Sequence, residues 1–326
     1  MCTRISLRWL LGFLYLCGLA LAGPVLAQAY PSKPVKLFVG QPPGGGNDAV
    51  GRILADKLSA MWGQPLLLEH RPGATGNIAA GFVAKSEPDG YTLFIVASSH
   101  VTNGALYSKL PFDSIRDFTP ISQVTYYSLV LLAHPSVPAT TLAELIALAK
   151  ANPGKLTFSS AGNGTATHLT AELLRIETGI DFLHVPYKGA AAAAKDLLAG
   201  HVQLGFSNPI VAVRPVQAGR LRALVTTGAR RSSLFPDIPT VGEAGHPGLE
   251  AGNWHAILGP AGLPRDIVAK LSTDIIAVLQ MPDVRKHLTA LGVDPIASTP
   301  EQLATLMHSE SEKWTKVIRT AKITLD

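Results

Sequence analysis

The sequence predicts an α/β chain of two lobes, with mostly parallel sheets and a ligand cleft between them. Three observations predict it. Short β-rich runs alternate with helical patterns almost throughout, the beat of βαβ units. The roughly 300 residues that follow an apolar leader exceed the size at which a single hydrophobic core stops growing. No low-complexity linker or fixed-period repeat separates the parts, so a boundary between lobes is crossed by short strands rather than by a flexible tether.

The elements follow in order. Arg4 and Arg8 precede the apolar "WLLGFLYLCGLALAG", and "VLAQA" offers small-residue cleavage after Ala27 or Ala29, so residues 1–29 read as an export signal. A membrane anchor is the alternative, but the run is shorter than the ~20 residues of a span and is broken at Gly23-Pro24. Cys2 and Cys17 both lie in this leader, which removes disulfide, thiol and zinc-thiolate chemistry from the mature chain. With Arg4 and Arg8 gone, 26 of the 28 bases face 23 acids, a net charge of +3. No Lys/Arg run marks a nucleic-acid face.

"VKLFVG" is a strand, followed by a helix with Val50, Leu54, Leu58 and Met61 on one stripe; "PLLLEH" and "YTLFIVAS" are strands that end in polar turns. Next come helix "LAELIALAKA", strand "LTFSSAG", helix "HLTAELLRIETG", strand "DFLHVPY", helix "AAAAKDLLAG" and strands "VQLGFSN" and "LRALVTTG". The chain closes with three helices that begin at Pro264, Pro282 and Pro300, where a missing N–H costs nothing.

Two loops stand out for chemistry. "PPGGGND" places Pro43, Gly44, Gly45, Gly46 and Asp48 between a strand and a helix, so backbone amides and the positive end of the helix dipole face an anion. It lacks the lysine and hydroxyl of a P-loop and the spacing of a dinucleotide fingerprint, so a small carboxylate suits it better than a polyphosphate. Gly45 is the position at which a side chain is expected to intrude on these amides. A tight turn with Asn47 or Asp48 capping the helix is the other reading. "SSAGNGTATH" repeats the logic with Ser160, Gly162, Gly164, Thr165 and His168. Ser160 and His168 could instead be nucleophile and base of a hydrolase, but G-x-S-x-G is absent and no acid is placed to orient the histidine.

"EHRPGATGNIAAG" is a further Gly-rich turn, in which Arg71 is either an anion partner or a surface strut, and Tyr187 and Lys188 lie at a strand end, where ligands of α/β sheets gather. The ten histidines are scattered singly, so no metal and no cofactor are expected.

Taken in order, "YPSKPVKLFVGQPPGGGNDAVGRILADKL", "EHRPGATGNIAAG", "PDGYTLFIVASS", "LPFDSIRDFTPIS", "LAKANPGKLTFSSAGNGTATHL", "HVPYKGAAAAAKDLLAG", "LRALVTTGARRSSLFPDIPTVGEAG" and "GNWHAILGPAGLP" resemble the Bug-type solute-binding proteins of tripartite tricarboxylate transporters over nearly the whole mature chain. The resemblance implies a periplasmic-binding-protein (Venus flytrap) fold, with lobe 1 from 30–124 plus 229–326 and lobe 2 from 125–228. It implies that a ligand carboxylate is gripped between Pro42–Asp48 and Ser159–His168, with Thr75, Ser98, Ser99, Asn103, Tyr187, Ser207 and Asn208 around the rest of the molecule. Asp48 would fix the loop or its water, or pair with an ammonium. His70 and Thr75 stand where the family more usually has Asn and Gly, and "KGAAAAAKD" lacks a proline often found there.

The expected function is therefore a non-catalytic periplasmic receptor. It would be a monomer that captures a di- or tricarboxylate, amino acid or aromatic acid and hands it to membrane permease subunits. The alternatives are a ligand sensor feeding a receptor and a secreted serine hydrolase.

Overall fold

The structure, a computed structural model, describes residues 30–325. The leader and both cysteines lie outside the described residues. Every element below belongs to the unit running from Lys33 to Asp326.

The chain opens with β1 (Val35–Val39), α1 (Gly46–Trp62), β2 (Leu66–His70), α2 (Asn77–Val83), β3 (Thr92–Ala97) and α3 (Ser99–Leu106). β1 pairs in parallel with β2 on one side and β3 on the other. Its side chains alternate between two covered faces: Leu37 points to α1, where it lies beneath Gly51, and Phe38 joins the cluster that holds Ala79, Ala80 and Val83 of α2. Such a strand, buried on both faces, reads as a continuous apolar run.

β4 (Phe118–Ser128) then crosses out of this sheet, and after Leu129 the chain continues as β5 (Val130–Ala133) in a second sheet. That sheet is built from α4 (Leu142–Ala151), β6 (Thr157–Ser160), α5 (Ala166–Thr178), β7 (Leu183–Pro186), α6 (Ala190–Ala199), β8 (Leu204–Ser207), α7 (Pro209–Gln217) and β9 (Arg222–Thr226). The chain returns through Thr227–Ala251 to β10 (Gly252–Pro260), followed by α8 (Arg265–Gln280), α9 (Pro282–Ala290), β11 (Asp294–Pro295) and α10 (Pro300–Ala321).

The strand orders are β11-β4-β10-β3-β1-β2 and β7-β6-β8-β5-β9. Parallel pairing covers β1 with β2 and β3, and β6 with β7 and β8, as the strand–helix alternation predicts. The strands that pass between sheets and their neighbours pair antiparallel, so each sheet is mixed. The two sheets repeat one plan, a central strand (β1 or β6) with parallel neighbours and antiparallel pairing beyond one of them. In such a plan the loops leaving the central strand and its neighbour depart to opposite faces and open a crevice at the strands' carboxyl ends.

In the second sheet α5 packs with Leu131 and Phe158, whereas α6 and α7 pack on the opposite face with Val130 and Leu132. The long α10 shares its apolar stripe between the lobes. Trp314, Val317 and Ile318 pack with Leu106 of α3 and with Leu169 and Leu173 of α5. Its start is fixed by a capping box of Thr299 and Gln302, which satisfies orphan amides of the first turn.

The two passages between sheets are stitched at Thr227, which is fully buried. Its amide donates to Leu129 O at 2.9 Å, its hydroxyl donates to Ala251 O at 2.6 Å, and the same hydroxyl accepts the Leu129 amide at 2.8 Å. Replacing Thr227 with the isosteric Val strands the Leu129 N–H in the interior, and the expected loss is roughly 1–3 kcal/mol of unfolding free energy. Denaturant melts check this, with Thr227→Ser restoring most of the loss.

Candidate functional site

The first Gly-rich turn, residues 40–45, leaves β1 and enters α1 through Gly45. Asp48, the third residue of α1, is buried and holds the turn from inside. Its Oδ2 accepts the Gly44 amide at 2.9 Å and Arg52 Nε at 3.1 Å, and its Oδ1 lies 2.8 Å from His70 Nε2. Burial alone would raise this carboxyl, but the hydrogen bonds from Arg52, Gly44 and His70 outweigh it and hold the group below the usual carboxylate value. Asn47 donates to Gln41 Oε1 at 2.6 Å and reaches Ile95 O at 3.3 Å, tying the turn to β3.

Neither Asn47 nor Asp48 caps the helix. The amides of the first helical turn, which have no intrahelical partner, therefore stay available while the side chains set their direction. Gly44 has φ +90°, open to glycine without strain, and a Cβ at Gly46 would lie 3.1 Å from His255 Nε2. Gly45 has an ordinary extended backbone (φ −82°, ψ 176°), so the backbone demand for glycine falls on its neighbours rather than on Gly45.

The second turn, between β6 and α5, repeats the device with different chemistry. His168, again the third residue of its helix, accepts the Gly164 amide on Nδ1 at 3.0 Å. Acceptance requires the neutral ring, and burial, aided by the charge of Arg175, pushes His168 down to about 4. His184 stacks on it, ring centroids 4.1 Å apart, and burial also pushes His184 down to about 4. Glu172 lies beneath His168 and is held by Arg175 at 2.6 Å.

Ser160 Oγ lies 2.7 Å from His184 Nε2, not against His168, and the Ser160 residue is 1% exposed. The turn is further closed by Thr165 Oγ1 donating to Gly162 O at 2.7 Å and by the Ala161 amide donating to Thr167 Oγ1 at 3.0 Å. Gly162 has φ +134°, and a Cβ there would meet Tyr187 O at 3.0 Å.

A cavity of about 210 Å³ opens beside this second turn. Thr165, Ser207 and Asn208, all named from the sequence, line it. Tyr127 and Asn253, which sequence reasoning did not single out, complete its rim: Asn253 donates to Tyr127 Oη at 2.7 Å and accepts from Ser98 Oγ at 2.7 Å. Both flank the stitched passages between sheets, two residues from Leu129 and Ala251. Ser98 is thus one side chain from the cavity. Gly46 approaches it through His255, whose ring centroid lies 6.3 Å from that of Tyr127.

The other sequence candidates lie elsewhere. Asn103 is buried and donates to Asn77 Oδ1 at 2.6 Å, Thr75 Oγ1 meets Tyr107 Oη at 2.9 Å, and Tyr187 donates to Asp196 Oδ2 at 2.8 Å. Ser99 sits in the first turn of α3, its carbonyl accepting Thr102 Oγ1. Pro43 is exposed on the first turn. Arg71 lies over the Phe82 ring at 3.7 Å.

Two lobes joined by stitched strands, each presenting a Gly-rich turn at a strand's carboxyl end, define a binding protein of the periplasmic-binding-protein class. The sequence profile described as the tripartite tricarboxylate transporter family receptor matches residues 50–323, and the chain belongs to that family. It is 35% identical to protein BugT of Bordetella pertussis over 308 residues, covering 94% of each chain. Among solved structures it resembles Rpa4515 of R. palustris, solved with adipate, at 34% identity and a TM-score of 0.78 over 91% of this chain and 100% of that one. It also resembles MatC of Rhodopseudomonas palustris with bound malate, at 32% identity and a TM-score of 0.74 over 89% and 100%.

Two pH responses follow. His100, His168, His184 and His255 are each lowered to about 4, burial being the largest cause, whereas the unfolded chain binds protons near the ordinary histidine value of about 6.5. Stability is complete above that value and is lost as pH falls toward 4. Denaturant melts across this window should show the decline, with a shallower slope in His168→Gln. Asp48 has the opposite sign of group but the same direction of loss: its lowered value stabilises the fold above the ordinary 3.8, so Asp48→Asn should cost a constant amount above about pH 5 and progressively less below pH 4.

Proposed function

We propose that this chain is a periplasmic receptor that captures a small carboxylate between its two Gly-rich turns and delivers it to the membrane permease subunits of a tripartite tricarboxylate-type transporter. The supporting observation is the repeated clamp. In both turns the third residue of the helix accepts the amide four positions earlier, which leaves the first-turn amides of α1 and α5 for an anion. The relatives solved with adipate and malate support a carboxylate as the guest. We take residues 30–124 with 229–326 as one lobe and 125–228 as the other, in a monomer exported by cleavage after Ala27 or Ala29.

Closure in this reading is a population shift, since a ligand that touches both turns binds best when the lobes approach. No chemistry is assigned to Ser160, because its hydroxyl is buried against His184. The protein should give no burst with an activated ester, and a burst abolished by Ser160→Ala would favour the hydrolase.

Thermal unfolding of the refolded, ligand-stripped protein against C4 to C6 carboxylates, amino acids and aromatic acids tests the proposal. An acid at a hundred times its Kd adds about 2.7 kcal/mol, a shift of several degrees or less for a chain of this size. In titration calorimetry, Asp48→Ala should weaken binding roughly tenfold through loss of the charged clamp on the Gly44 amide, and Lys188→Ala should leave it nearly unchanged. Equal effects of the two would count against the turn assignment.

A further inference from the structure

We infer that the preferred guest is a monocarboxylate with an apolar tail, its carboxylate at the first-turn amides of α5 and its tail in a slot between α6, α7 and the second sheet. The inference rests on the receptor reading above and names the class of acid that this site takes.

The slot runs inward from the rim. Its walls are Ala193, Ala194 and Leu197 of α6, Phe206 of β8, and Val211 and Pro215 of α7. Leu132 and Leu221 close its far end. The sheet register agrees with this depth: Ser207, at the rim, pairs with Val130, and Leu132 lies two residues further along β5, opposite Gly205 and Ala223. Ala190, Ala193, Ala194 and Leu197 share one face of α6 at helical spacing. The alanine run quoted from the sequence therefore leaves room where larger residues would fill the space. An apolar cavity of about 150 Å³ suffices for benzene, so this one, at about 210 Å³, has room for a ring or a short alkyl chain.

Among the described residues, no Lys, Arg or His lines the cavity. Its polar side chains are largely committed: Ser159 to Leu204 O, Thr165 to Gly162 O, Thr167 to the Ala161 amide, Asn208 to the Ile210 amide, and Asn253 to Ser98 and Tyr127. A second carboxylate at the tail end would meet Leu132, Leu221 and Pro215, and a charge buried without a partner is strongly disfavoured. A methyl terminus meets no such penalty.

Titration calorimetry on the ligand-stripped protein decides the matter with two series: straight-chain monocarboxylates from propionate to octanoate, and the dicarboxylates succinate, adipate and suberate. Affinity for the monocarboxylates should rise about fourfold per methylene, the transfer free energy of one CH₂ group converted to affinity, and level off when the slot is full. Each dicarboxylate should bind at least tenfold more weakly than the monocarboxylate of equal length. Ala194→Phe should flatten the chain-length dependence, with the loss of affinity growing from propionate to octanoate. Because Ala194 is half-buried, the exposed rim variant Ala190→Leu repeats the test at a site where folding is safe.

A dicarboxylate that binds as tightly as its monocarboxylate counterpart, or a flat monocarboxylate series, overturns the slot and leaves the receptor reading standing. Silence from every acid overturns both.

Discussion

Thr227 is the point at which the two halves of the molecule become one structure. A single hydroxyl, donating to Ala251 and accepting from Leu129, joins the outgoing passage of the chain to the returning one. Without it, the Leu129 amide in a buried crossing would lack a partner, and such groups are nearly always satisfied in folded proteins. The position of this stitch also explains the rim of the cavity. Tyr127 and Asn253 lie just outside it on the two crossing strands, bonded to each other and, through Asn253, to Ser98. Any rotation of one sheet against the other about the crossings moves this rim relative to Thr165 and Asn208. A ligand seated there therefore has different contacts in different arrangements of the lobes, which is what coupling binding to closure requires.

The two Gly-rich turns solve one geometric problem with opposite chemistries. Each anchors an earlier glycine amide inward on the third residue of the helix, which in the proposed mode leaves the first-turn amides facing outward. The first turn uses a carboxylate whose charge is offset by Arg52 and faced by His70. The second uses an imidazole kept neutral by burial. An anionic anchor in both turns would surround an incoming carboxylate with like charge. A neutral anchor in the second turn avoids that repulsion on the side that carries the cavity, and the price is sensitivity to acid.

Much of this was legible in the sequence, and the failures have physical reasons. The strand–turn–helix units around Gly44 and Gly162 were readable because glycine clusters before an amphipathic pattern have few other uses. β4 was not read as a strand: its burial runs nearly unbroken from Ile121 to Thr125, so no alternation marks it. Helices α3 and α7 are eight and nine residues long, too short for a 3.6-residue period to declare itself. The pairing of Ser160 with His184 rather than His168 depends on β6 and β7 lying side by side, a fact of tertiary register. The walls of the slot read as ordinary core because apolar lining and apolar packing have the same composition, and only the space left between them separates the two.

The absence, among the described residues, of a cationic side chain lining the cavity bears on how affinity arises in the proposed mode. Helix ends and backbone amides contribute about 0.3–1 kcal/mol per charge in exposed settings and up to about 2 kcal/mol when partly buried. Association itself costs at least several kcal/mol in lost translational and rotational freedom. Two helix ends alone therefore leave little net binding for a small acid. Apolar surface removed from water adds about 25 cal/mol per Å², and the Ala- and Leu-lined slot between α6 and α7 is where such surface exists beside the second turn. In the proposed binding mode the amides fix orientation and select a carboxylate, while the slot supplies the strength and discriminates by the length and polarity of the tail.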